Sequence, residues 1–585
     1  MGVNMKRISA FLEEIIWDRI YLSLKIKLSN QSYITDENIS FYLINEESDA
    51  VAKFEIIDYT ERIYYVKLNV TNSGINRCIN NGTYKILISD ENLFFGIVEF
   101  NGEEKYLESS SACFRYRKSE GAYTVTFMIN EYTDRPILEL LFYNMNKANL
   151  GYIEEVSLKK DKPNYYRFIK KVIKVFRHNK QKYIKRAYLF LRKIFHNKKN
   201  RNILFLSEQD NKLALNMQSI YQRLMDRGLN KHFKILFSLR KKTSSEVSLY
   251  SSIKFLYFLS IADIILIDDH VPAFDWLRLK DDTKLIQIWH AGAGFKGVGY
   301  SRWGHYGCPG PFSCHRQYTY CISGSEKISH FFSEQFGILK EQVIPTGMPR
   351  MDSFLNKDNM QTVIDRLYKT YPFFEKRKII LFAPTYRGQN RKNAYYPYEK
   401  IDFEKLFEYC KSSNSIVLFK MHPWVSNNIP IDEKYSECFF DFNKYPNIND
   451  LFYVTDVLIT DYSSSMYEYA LLNKPMLAYV FDKVQYSSTR GFHRAYDENV
   501  PGKVCETFNE LLEALYNNDY QYHKHEKYMH NHFDYVDTNN SDRVIDWLLL
   551  DKLPIKYKEK LDIKKKNIQE IRSKSFKSLF EEIDI

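Results

Sequence analysis

The sequence has no long hydrophobic run. No apolar stretch approaches the roughly 20 residues that a membrane-spanning helix needs, and residues 1–12 have no long apolar core. We therefore expect neither a spanning segment nor a signal peptide. Glycine and proline are sparse, at 21 and 16 of 585 residues, and form no low-complexity tract. Because 44% of the residues are hydrophobic, the chain can bury several cores, and its length indicates roughly three or four domains.

Cysteine is also scarce, and its spacing is not that of a metal site. The eight cysteines include no C-x2-C pair, which is typical of a reducing compartment. Cys308, Cys314 and Cys321 lie near His305 and His315, but without a C-x2-C element this group is a weak zinc candidate. No Asp-x-Asp motif occurs either. We expect no metal ion and no cofactor.

Basic charge is concentrated in one segment. Residues 159–201 contain 17 Lys/Arg and one acidic residue, although the whole chain has a net charge of only +12. Apolar residues recur there at helical spacing, namely Tyr165, Phe168, Ile169, Val172 and Phe176, and then Ile184, Tyr188, Leu191 and Phe195. The pattern predicts amphipathic helices on the anionic inner leaflet of a membrane.

Two alternatives to this membrane-facing segment remain open. A solvated charged linker would not need the apolar stripe, and a nucleic-acid-binding arm would be expected beside a recognised nucleic-acid-binding motif. We therefore favour a peripheral protein on the cytoplasmic face of the cell membrane, with no nucleic acid partner.

The residues before the basic segment have a β pattern. Apolar and polar residues alternate in 20–28, 63–70 and 123–128, between Asn-Gly turns. This predicts that residues 1–155 form a small, β-rich, sandwich-like accessory domain. Residues 156–200 then form the basic amphipathic linker.

Strands and helices alternate after Arg201, which is typical of parallel α/β domains. We predict two doubly wound domains, residues 201–355 and 356–550, that bind ligands at the carboxyl ends of their strands. Residues 551–585 are predicted to be a charged helical tail. The predicted strands are 202–206, 233–237, 262–267, 285–289, 318–323, 342–345, 378–382, 415–420, 438–441, 456–460 and 475–479.

The turn after strand 456–460 is a candidate phosphate site. Asp461, Ser463, Ser464 and Ser465 precede a short helix that is predicted to be amphipathic. Hydroxyls and unpaired N–H groups at a helix start bind anions, although an ordinary capped helix has the same pattern. No GxGxxG or Walker A loop occurs, so phosphate binding has to come from turns of this kind.

Other chemically useful residues follow other predicted strands. A single histidine at a strand end is more often structural than catalytic, but several such residues at one sheet edge predict a site for an anionic ligand. These residues are His290 with Lys296, Thr385 with Arg387, and Lys420 with His422.

Five motifs together resemble the CDP-glycerol glycerophosphotransferase family of teichoic acid and capsule polymerases and primases. They are WHAGAGFK at 289–296, TGMPRMD at 346–352, APTYR at 383–387, KMHP at 420–423 and TDYSS at 460–464. The resemblance covers about residues 200–545. The glycerol enzymes have WHG-T-P-x-K at the first motif, whereas this chain is nearer the WHA-x-G form of ribitol-phosphate and capsule-type relatives. The motif therefore leaves the polyol open.

The resemblance implies a GT-B-type fold and a reaction. Glycerol- or ribitol-phosphate would pass from CDP-glycerol or CDP-ribitol, bound by residues 356–550, to a hydroxyl of a lipid-linked or polysaccharide acceptor on the side of residues 201–355. CMP would leave. His290 matches the family's general base, and His422 and Arg387 would neutralise the diphosphate.

The same resemblance implies binding roles for other positions. Ser463 and Ser464 would hold phosphate oxygens, and Arg494 lies in a loop near the polyol. Asp461 and Glu468 would position the ribose or the helix. Lys296, Thr385 and Lys420 complete the substrate-binding set. The alternatives are a GT-B-type glycosyltransferase or epimerase that uses a UDP-sugar, and a non-catalytic membrane scaffold.

Overall fold

The described residues form three β-sheets, one in the N-terminal part of the chain and two after residue 200. The computed structural model describes residues 6–29, 38–90, 94–116, 121–130, 133, 135–145, 181–196, 201–209, 211–240, 249–292, 295–305, 307–388 and 391–577. The first predicted amphipathic helix, with Tyr165 to Phe176, lies outside these residues.

The N-terminal β-region, residues 6–145, forms a twelve-stranded, mostly antiparallel sheet. The main strand order is β10-β11-β12-β8-β9-β2-β3-β7-β6, with β1 beside β9 and β4 between β8 and β5. The strands are β1 Lys6–Arg7, β2 Ala10–Asp18, β3 Tyr21–Leu28, β4 Ser40–Ile44, β5 Ala50–Lys53, β6 Glu55–Thr60, β7 Ile63–Asn69, β8 Gly82–Ser89, β9 Phe94–Glu99, β10 Ala112–Tyr116, β11 Gly121–Ile129 and β12 Leu138–Met145, with one helix, Glu104–Ser110.

This sheet curls over on itself around one apolar core. Inward residues of β3 and β7 belong to the same buried cluster as those of β4, β8, β11 and β12. The rings of Phe41 and Tyr64, from different layers, are 5.4 Å apart. Trp303, from beyond residue 200, completes the core against Phe114 and Tyr123. The N-terminal β-region is therefore packed onto the following part of the chain.

The first α/β half, residues 201–355, is built on a six-stranded parallel sheet of order β14-β13-β15-β16-β17-β18. Its strands are almost continuous apolar runs, such as Ile-Ile-Leu-Ile in β15, because helices cover both faces. The strands are β13 Arg201–Ser207, β14 Phe233–Leu239, β15 Ile264–Ile267, β16 Lys284–Gln287, β17 Tyr320–Ile322 and β18 Val343–Ile344, and the helices are Leu215–Asp226, Leu249–Ile261, Ser329–Phe336 and Met351–Leu355, with 181–195 packed alongside.

The second α/β half, residues 356–550, has a six-stranded parallel sheet of order β21-β20-β19-β22-β23-β24. The strands are β19 Lys378–Phe382, β20 Ser415–Phe419, β21 Phe439–Asp441, β22 Val457–Thr460, β23 Met476–Tyr479 and β24 Lys503–Cys505. The helices are Lys357–Thr370, Phe403–Ser412, Ile448–Val454, Met466–Ala470, Lys483–Arg490, Phe508–Asn517, Tyr522–His532 and Asn540–Arg543. Among the described strands of this half, the edge strand β24 is the one that was not predicted.

The helix Met466–Ala470 is not amphipathic, contrary to the prediction. All five of its residues are buried. Tyr467 packs on Phe533, and Tyr469 packs on Phe452, so the helix is enclosed on more than one side. A helix that is surrounded by packing partners needs no polar face.

The helix 181–195 is docked on the first α/β half through part of its predicted membrane face. Tyr188 is fully buried, and its hydroxyl accepts the Lys280 N–H at 3.2 Å. Buried Arg192 donates to the carbonyls of Ser260 and Ala262. The prediction that Tyr188 faces a membrane is wrong, because helical spacing alone does not say which apolar stripe packs against protein.

The C-terminal helix, Ile555–Ser573, links the far end of the chain to the N-terminal β-region. After it, the Lys574 carbonyl accepts the Ala50 N–H at 2.9 Å, and the Phe576 N–H donates to Ser48 at 2.9 Å. Among the described residues, no helix combines the length and apolar character needed to cross a bilayer.

Candidate active site

His290 lies three residues beyond the carboxyl end of β16 and is exposed. Its Nδ1 lies 3.2 Å from the carbonyl oxygen of Asp268, which follows β15. Since this carbonyl can only accept, Nδ1 carries the proton of the neutral ring and Nε2 carries the lone pair. The imidazole is therefore oriented for Nε2 to remove a proton.

The backbone around His290 is held tightly. Trp289 has φ +36°, a left-handed conformation that is costly for a bulky residue. Asn216 Nδ2 donates to the Trp289 carbonyl at 2.6 Å, and Arg350 Nη1 donates to the His290 carbonyl at 2.8 Å. A Cβ on Gly292 would lie 2.6 Å from the Tyr467 ring, so this glycine lets the loop approach the second half.

Arg350 joins the two α/β halves. Its Nε donates to Glu468 Oε1 at 2.9 Å, and Nη2 contacts the same oxygen. Glu468 was predicted to position the ribose or the helix; here its buried carboxylate is paired with Arg350. Sequence reasoning missed Arg350, although it stands inside the TGMPRMD motif, because its carboxylate partner is 118 positions away.

In the second half, Arg387 and Asp461 form a buried ion pair. Arg387 Nη1 lies 2.8 Å from Asp461 Oδ2, and Arg387 Nε and Nη2 reach Asp482 at 2.6 and 3.0 Å. Asp461 Oδ1 also accepts the Thr385 N–H at 2.7 Å. Burial alone would lower the pKa of Arg387, but the Asp461 and Asp482 carboxylates outweigh burial and raise it. Arg387 therefore stays charged, with two carboxylates already neutralising it, and it holds the ends of β19, β22 and β23 together.

His422, Lys420 and Lys296 bring imidazole and ammonium groups together from both halves. His422 Nδ1 accepts the Trp424 N–H at 3.1 Å, which leaves the proton on Nε2. Burial, followed by the positive charges of Lys296 and Lys420, lowers the pKa of His422 to about 4. Lys420 is buried with its Nζ 2.9 Å from the Asn443 carbonyl, and burial lowers its pKa. At neutral pH, His422 is therefore an uncharged hydrogen-bond donor beside two cationic residues.

The serine turn lies at the end of β22, next to Asp461. Ser463 Oγ and Ser465 Oγ are 2.8 Å apart, and the Ser465 N–H donates to Ser463 Oγ at 3.3 Å. Ser464 is exposed. The helix that follows is only five residues long, so hydroxyl and N–H groups, rather than a long helix dipole, are what this turn offers to an anion.

Arg494 is embedded among aromatic rings. Its guanidinium carbon lies 4.5 Å from the centre of the Phe295 ring and 4.3 Å from that of Phe331. Nη2 is 2.7 Å from His532 Nε2. Burial lowers the pKa of Arg494 to about 10. This packing makes Arg494 part of the junction between the two α/β halves. The substrate contact of Arg494 stays a prediction.

An aromatic group borders His422. The ring of Tyr386 is 4.8 Å from that of His422 and 5.0 Å from that of Trp424, which is 39% exposed. Sequence reasoning missed both aromatic residues. The sequence signal for them was their position, because Tyr386 follows Thr385 and Trp424 follows the KMHP motif.

Comparison with known proteins identifies the family. The sequence profile described as CDP-Glycerol:Poly(glycerophosphate) glycerophosphotransferase matches residues 188–550. The chain belongs to this family. It is an enzyme, and its relatives in the family are teichoic acid polyol-phosphate polymerases and primases.

Relatives named as ribitol-phosphate polymerases are more similar to this chain than relatives named for glycerol phosphate. The teichoic acid ribitol-phosphate polymerase TarL of Staphylococcus aureus is 37% identical over 65% of this chain and 68% of its own length. The poly(ribitol-phosphate) polymerase of Bacillus spizizenii is 39% identical over 60% of this chain and 56% of its own length. The glycerol-phosphate primase of Bacillus subtilis is 29% identical over 51% of this chain and 76% of its own length.

A solved structure of the wall teichoic acid polymerase TagF has the same fold. It aligns with a TM-score of 0.50 and 23% identity over 68% of this chain and 99% of that structure. The predicted α/β fold class is therefore confirmed.

Within this family fold, the predicted site residues other than Arg494 form three groups. His290 stands at the edge of the first half, where Arg350 joins it to Glu468. Lys296 and Lys420 are close enough to His422 for their positive charges to lower its pKa. Thr385, Arg387 and Asp461 form a hydrogen-bonded network at the sheet edge of the second half, and the serine turn follows Asp461 in the chain.

Proposed function

We propose that this enzyme transfers ribitol phosphate from CDP-ribitol to a hydroxyl group of a teichoic acid acceptor and releases CMP. The observation that carries the choice of ribitol is the higher identity to polymerases named for ribitol phosphate. The Ala291-Gly292 form of the first motif points the same way. Family membership argues against the alternatives of a UDP-sugar transferase or epimerase and a non-catalytic scaffold.

We infer that the two parallel sheets are the Rossmann-like halves of a GT-B enzyme that face a shared cleft. The acceptor would bind beside the first half, and the CDP-polyol beside the second. His290 Nε2 would take the proton of the acceptor hydroxyl. The hydroxyl oxygen would at the same time attack the phosphorus that carries the polyol. The bond from that phosphorus to the bridging oxygen breaks, and CMP leaves with the electron pair. A positioned base of this kind contributes about 10²–10⁴ to the rate.

The charge that builds up on the leaving phosphate needs donors. His422 Nε2–H, Lys296 and Lys420 supply a hydrogen bond and two positive charges from both sides of the cleft. Ser463 and Ser464 would hold phosphate oxygens. Arg387, already paired with two carboxylates, would position this surface rather than add free charge.

The exposed Trp424 ring and the half-buried Tyr386 ring beside it suit a planar base. Stacking of a nucleobase on such rings is worth about 1–3 kcal/mol. We place the cytosine of the CDP-polyol there. Trp424→Ala should then weaken binding of CDP-ribitol and CMP equally, because both carry the base, while Trp424→Phe should retain most of it.

The experiment that tests the proposed reaction is a donor screen. Purified enzyme is incubated with CDP-ribitol, CDP-glycerol or a UDP-sugar, with and without a lipid-linked teichoic acid primer, and nucleotide release is followed. We expect CMP release that requires the primer and is fastest with CDP-ribitol. Faster turnover of CDP-glycerol would reject ribitol, and turnover of the UDP-sugar alone would reject polyol-phosphate transfer.

We also propose that the enzyme is peripheral to the anionic cytoplasmic leaflet. On helix 181–195 the exposed apolar residues Tyr183, Phe190 and Ile194 recur at i, i+7 and i+11, on one face. Exposed Lys185 and Lys193 lie among them. Apolar and basic side chains together favour an anionic surface, and each nearby Lys or Arg adds about 1 kcal/mol.

Vesicle flotation tests this proposal with the full chain. We expect binding to phosphatidylglycerol vesicles but not to pure phosphatidylcholine, with partial release at 1 M salt, where the Debye length is about 3 Å. Phe190→Ser/Ile194→Ser should reduce binding. The matched control is Ile563→Ser, an equally exposed apolar residue on the C-terminal helix. Equal binding by the double variant would reject helix 181–195 as the anchor.

A further inference from the structure

We propose that His270, Asp275 and Cys314 form a zinc site next to the catalytic loop. His270 stands three residues after β15, Asp275 ends the turn Pro272–Asp275, and Cys314 begins the turn Cys314–Gln317. One nitrogen, one carboxylate oxygen and one sulfur from these residues all lie within 4.8 Å of one another. Two segments of the chain therefore converge on one small volume with three potential ligands.

The distances suit a four-coordinate metal. His270 Nε2 is 3.0 Å from Asp275 Oδ1. Ligand atoms about 2.0–2.3 Å from a tetrahedral zinc ion are separated by little more than this, so small shifts would bring all three onto one ion. Cys314 is fully buried, whereas the side chains of His270 and Asp275 are 34% and 26% exposed. Water can therefore reach a fourth position.

The ligand chemistry selects zinc. A thiolate with an imidazole and a carboxylate is a donor set for zinc, whereas magnesium and calcium prefer oxygen ligands alone. The groups around the ligands are already ordered. The backbone N–H of Cys314 donates to Asp275 Oδ1 at 2.9 Å. A hydrogen bond to a ligating carboxylate orients it for the metal.

The position of the site indicates a structural role. Asp268, two residues before His270, supplies the carbonyl that orients His290. The turn that begins at Cys314 also carries Arg316, whose guanidinium reaches the Thr71 carbonyl of the N-terminal β-region. A zinc ion here would fix the end of β15 relative to this turn. It would therefore stabilise the position of His290 without contacting the substrate.

This proposal replaces the expectation that the chain binds no metal. The sequence pointed to Cys308, Cys314 and Cys321 with nearby histidines, and that group lacked zinc spacing. In the fold, Cys314 alone of the three joins the cluster, and its partner His270 is 44 positions upstream. Such a pairing depends on strand order, so no local spacing rule could find it.

Metal analysis of the full-length enzyme, purified without chelators, is the test. We expect about one zinc per chain in the wild type. His270→Ala and Cys314→Ser should each lose most of it. Cys321→Ser, which removes another buried thiol of the same half, should retain it. Wild type without zinc, or Cys314→Ser with as much zinc as wild type, would overturn the proposal.

Cobalt substitution of the wild-type enzyme is a second test, and it does not depend on whether the variants fold. Wild-type enzyme depleted of zinc and supplied with Co²⁺ should gain a thiolate-to-cobalt charge-transfer band, and one equivalent of Zn²⁺ should remove it. No such band on folded wild-type protein would mean that His270, Asp275 and Cys314 form only a hydrogen-bonded network. Thermal unfolding should also shift to lower temperature after chelation, since zinc bound only to the folded state stabilises it.

Discussion

Arg350 donates to Glu468 across the two α/β halves and, through Nη1, to the carbonyl of His290 at 2.8 Å. One guanidinium thus connects the His290 loop of the first half to the buried helix Met466–Ala470 of the second. Because that helix follows the serine turn, Arg350 links the position of the proposed base to that of the proposed phosphate-binding turn.

Arg350→Met should reduce both stability and activity. Glu468 is left buried without its partner, which costs about 3–5 kcal/mol, and the His290 loop loses one donor. Chemical denaturation and kcat/KM report the two effects. In Arg350→Met/Glu468→Met the stability should largely return while activity stays low. The control Arg223→Ala removes an exposed pair with Asp542 and should cost at most about 1 kcal/mol. Full activity in either Arg350 variant would contradict the link.

His290→Ala should lower kcat by about 10²–10⁴ and leave the affinity for CDP-ribitol within a few-fold, because a general base acts on the transition state. Single-turnover rates and calorimetric binding separate the two quantities. His305→Ala, which removes an exposed histidine of the same loop region, is the matched control and should be close to wild type. If His290→Ala instead lost nucleotide binding and kept its rate, the residue would be a ligand-positioning group.

Binding of CDP should be coupled to proton uptake at acidic pH. Burial, Lys296 and Lys420 lower the pKa of His422 to about 4, so the free enzyme has a neutral ring at pH 5.5. A bound diphosphate favours the charged ring and raises its pKa, so binding draws in a proton. Calorimetry in buffers of different ionisation enthalpy measures this uptake. It should be lost in His422→Gln and kept in His290→Ala. Equal uptake by His422→Gln would assign the proton to another group.

Arg387→Ala should reduce both stability and nucleotide binding, whereas Ser463→Ala should reduce nucleotide binding alone. Arg387→Ala leaves Asp461 and Asp482 facing each other without a cation, so we expect about 3–5 kcal/mol of lost stability together with weaker nucleotide binding. Ser463→Ala should keep its stability and weaken CDP-ribitol and CMP through one lost hydrogen bond, about 0.5–1.5 kcal/mol. Thermal unfolding and binding assays distinguish them. If Arg387→Ala were as stable as wild type and bound nucleotides with unchanged affinity, Arg387 would contribute neither to stability nor to nucleotide binding.

The N-terminal β-region should support the site through Glu334. Its carboxylate accepts the Tyr21 hydroxyl at 2.6 Å and lies 2.5 Å from His493 Nε2, one residue before Arg494. Burial alone would raise the pKa of Glu334, but the hydrogen bonds from His493 and Tyr21 lower it. A lowered carboxyl pKa contributes stability that is present above the unfolded pKa of about 4.3 and is lost as the pH falls through the folded pKa.

Tyr21→Phe should therefore destabilise the enzyme by about 1.5–3 kcal/mol at pH 7, the value of a hydrogen bond to a charged group. The difference from wild type should shrink as the pH falls through the lowered folded-state pKa of Glu334, where the carboxylate takes up a proton. Denaturant titrations from pH 3 to 8 measure it. Tyr59→Phe, an exposed tyrosine of the same β-region, is the control. If the stability difference between Tyr21→Phe and wild type did not change with pH, the contribution of Tyr21 would not depend on the charge of Glu334.

The sequence by itself determined the local elements and the order of the motifs. Each predicted strand after residue 200 has a counterpart in the fold, because buried parallel strands are near-continuous apolar runs that are visible without their neighbours. The candidate site residues were readable for a similar reason. In parallel sheets the strand carboxyl ends share one edge, so a residue's place after a strand already predicts its place in the molecule.

Tertiary structure alone decided which charges pair and which faces are covered. Arg387 was predicted as an anion clamp, but Asp461 and Asp482, 74 and 95 positions away, neutralise it. Tyr188 belongs to an apolar stripe that was predicted to face lipid and instead packs on protein. Pairing and burial depend on contacts between distant segments. Local spacing reports only the periodicity of one segment, and it contains no information about the partner that the fold brings against it.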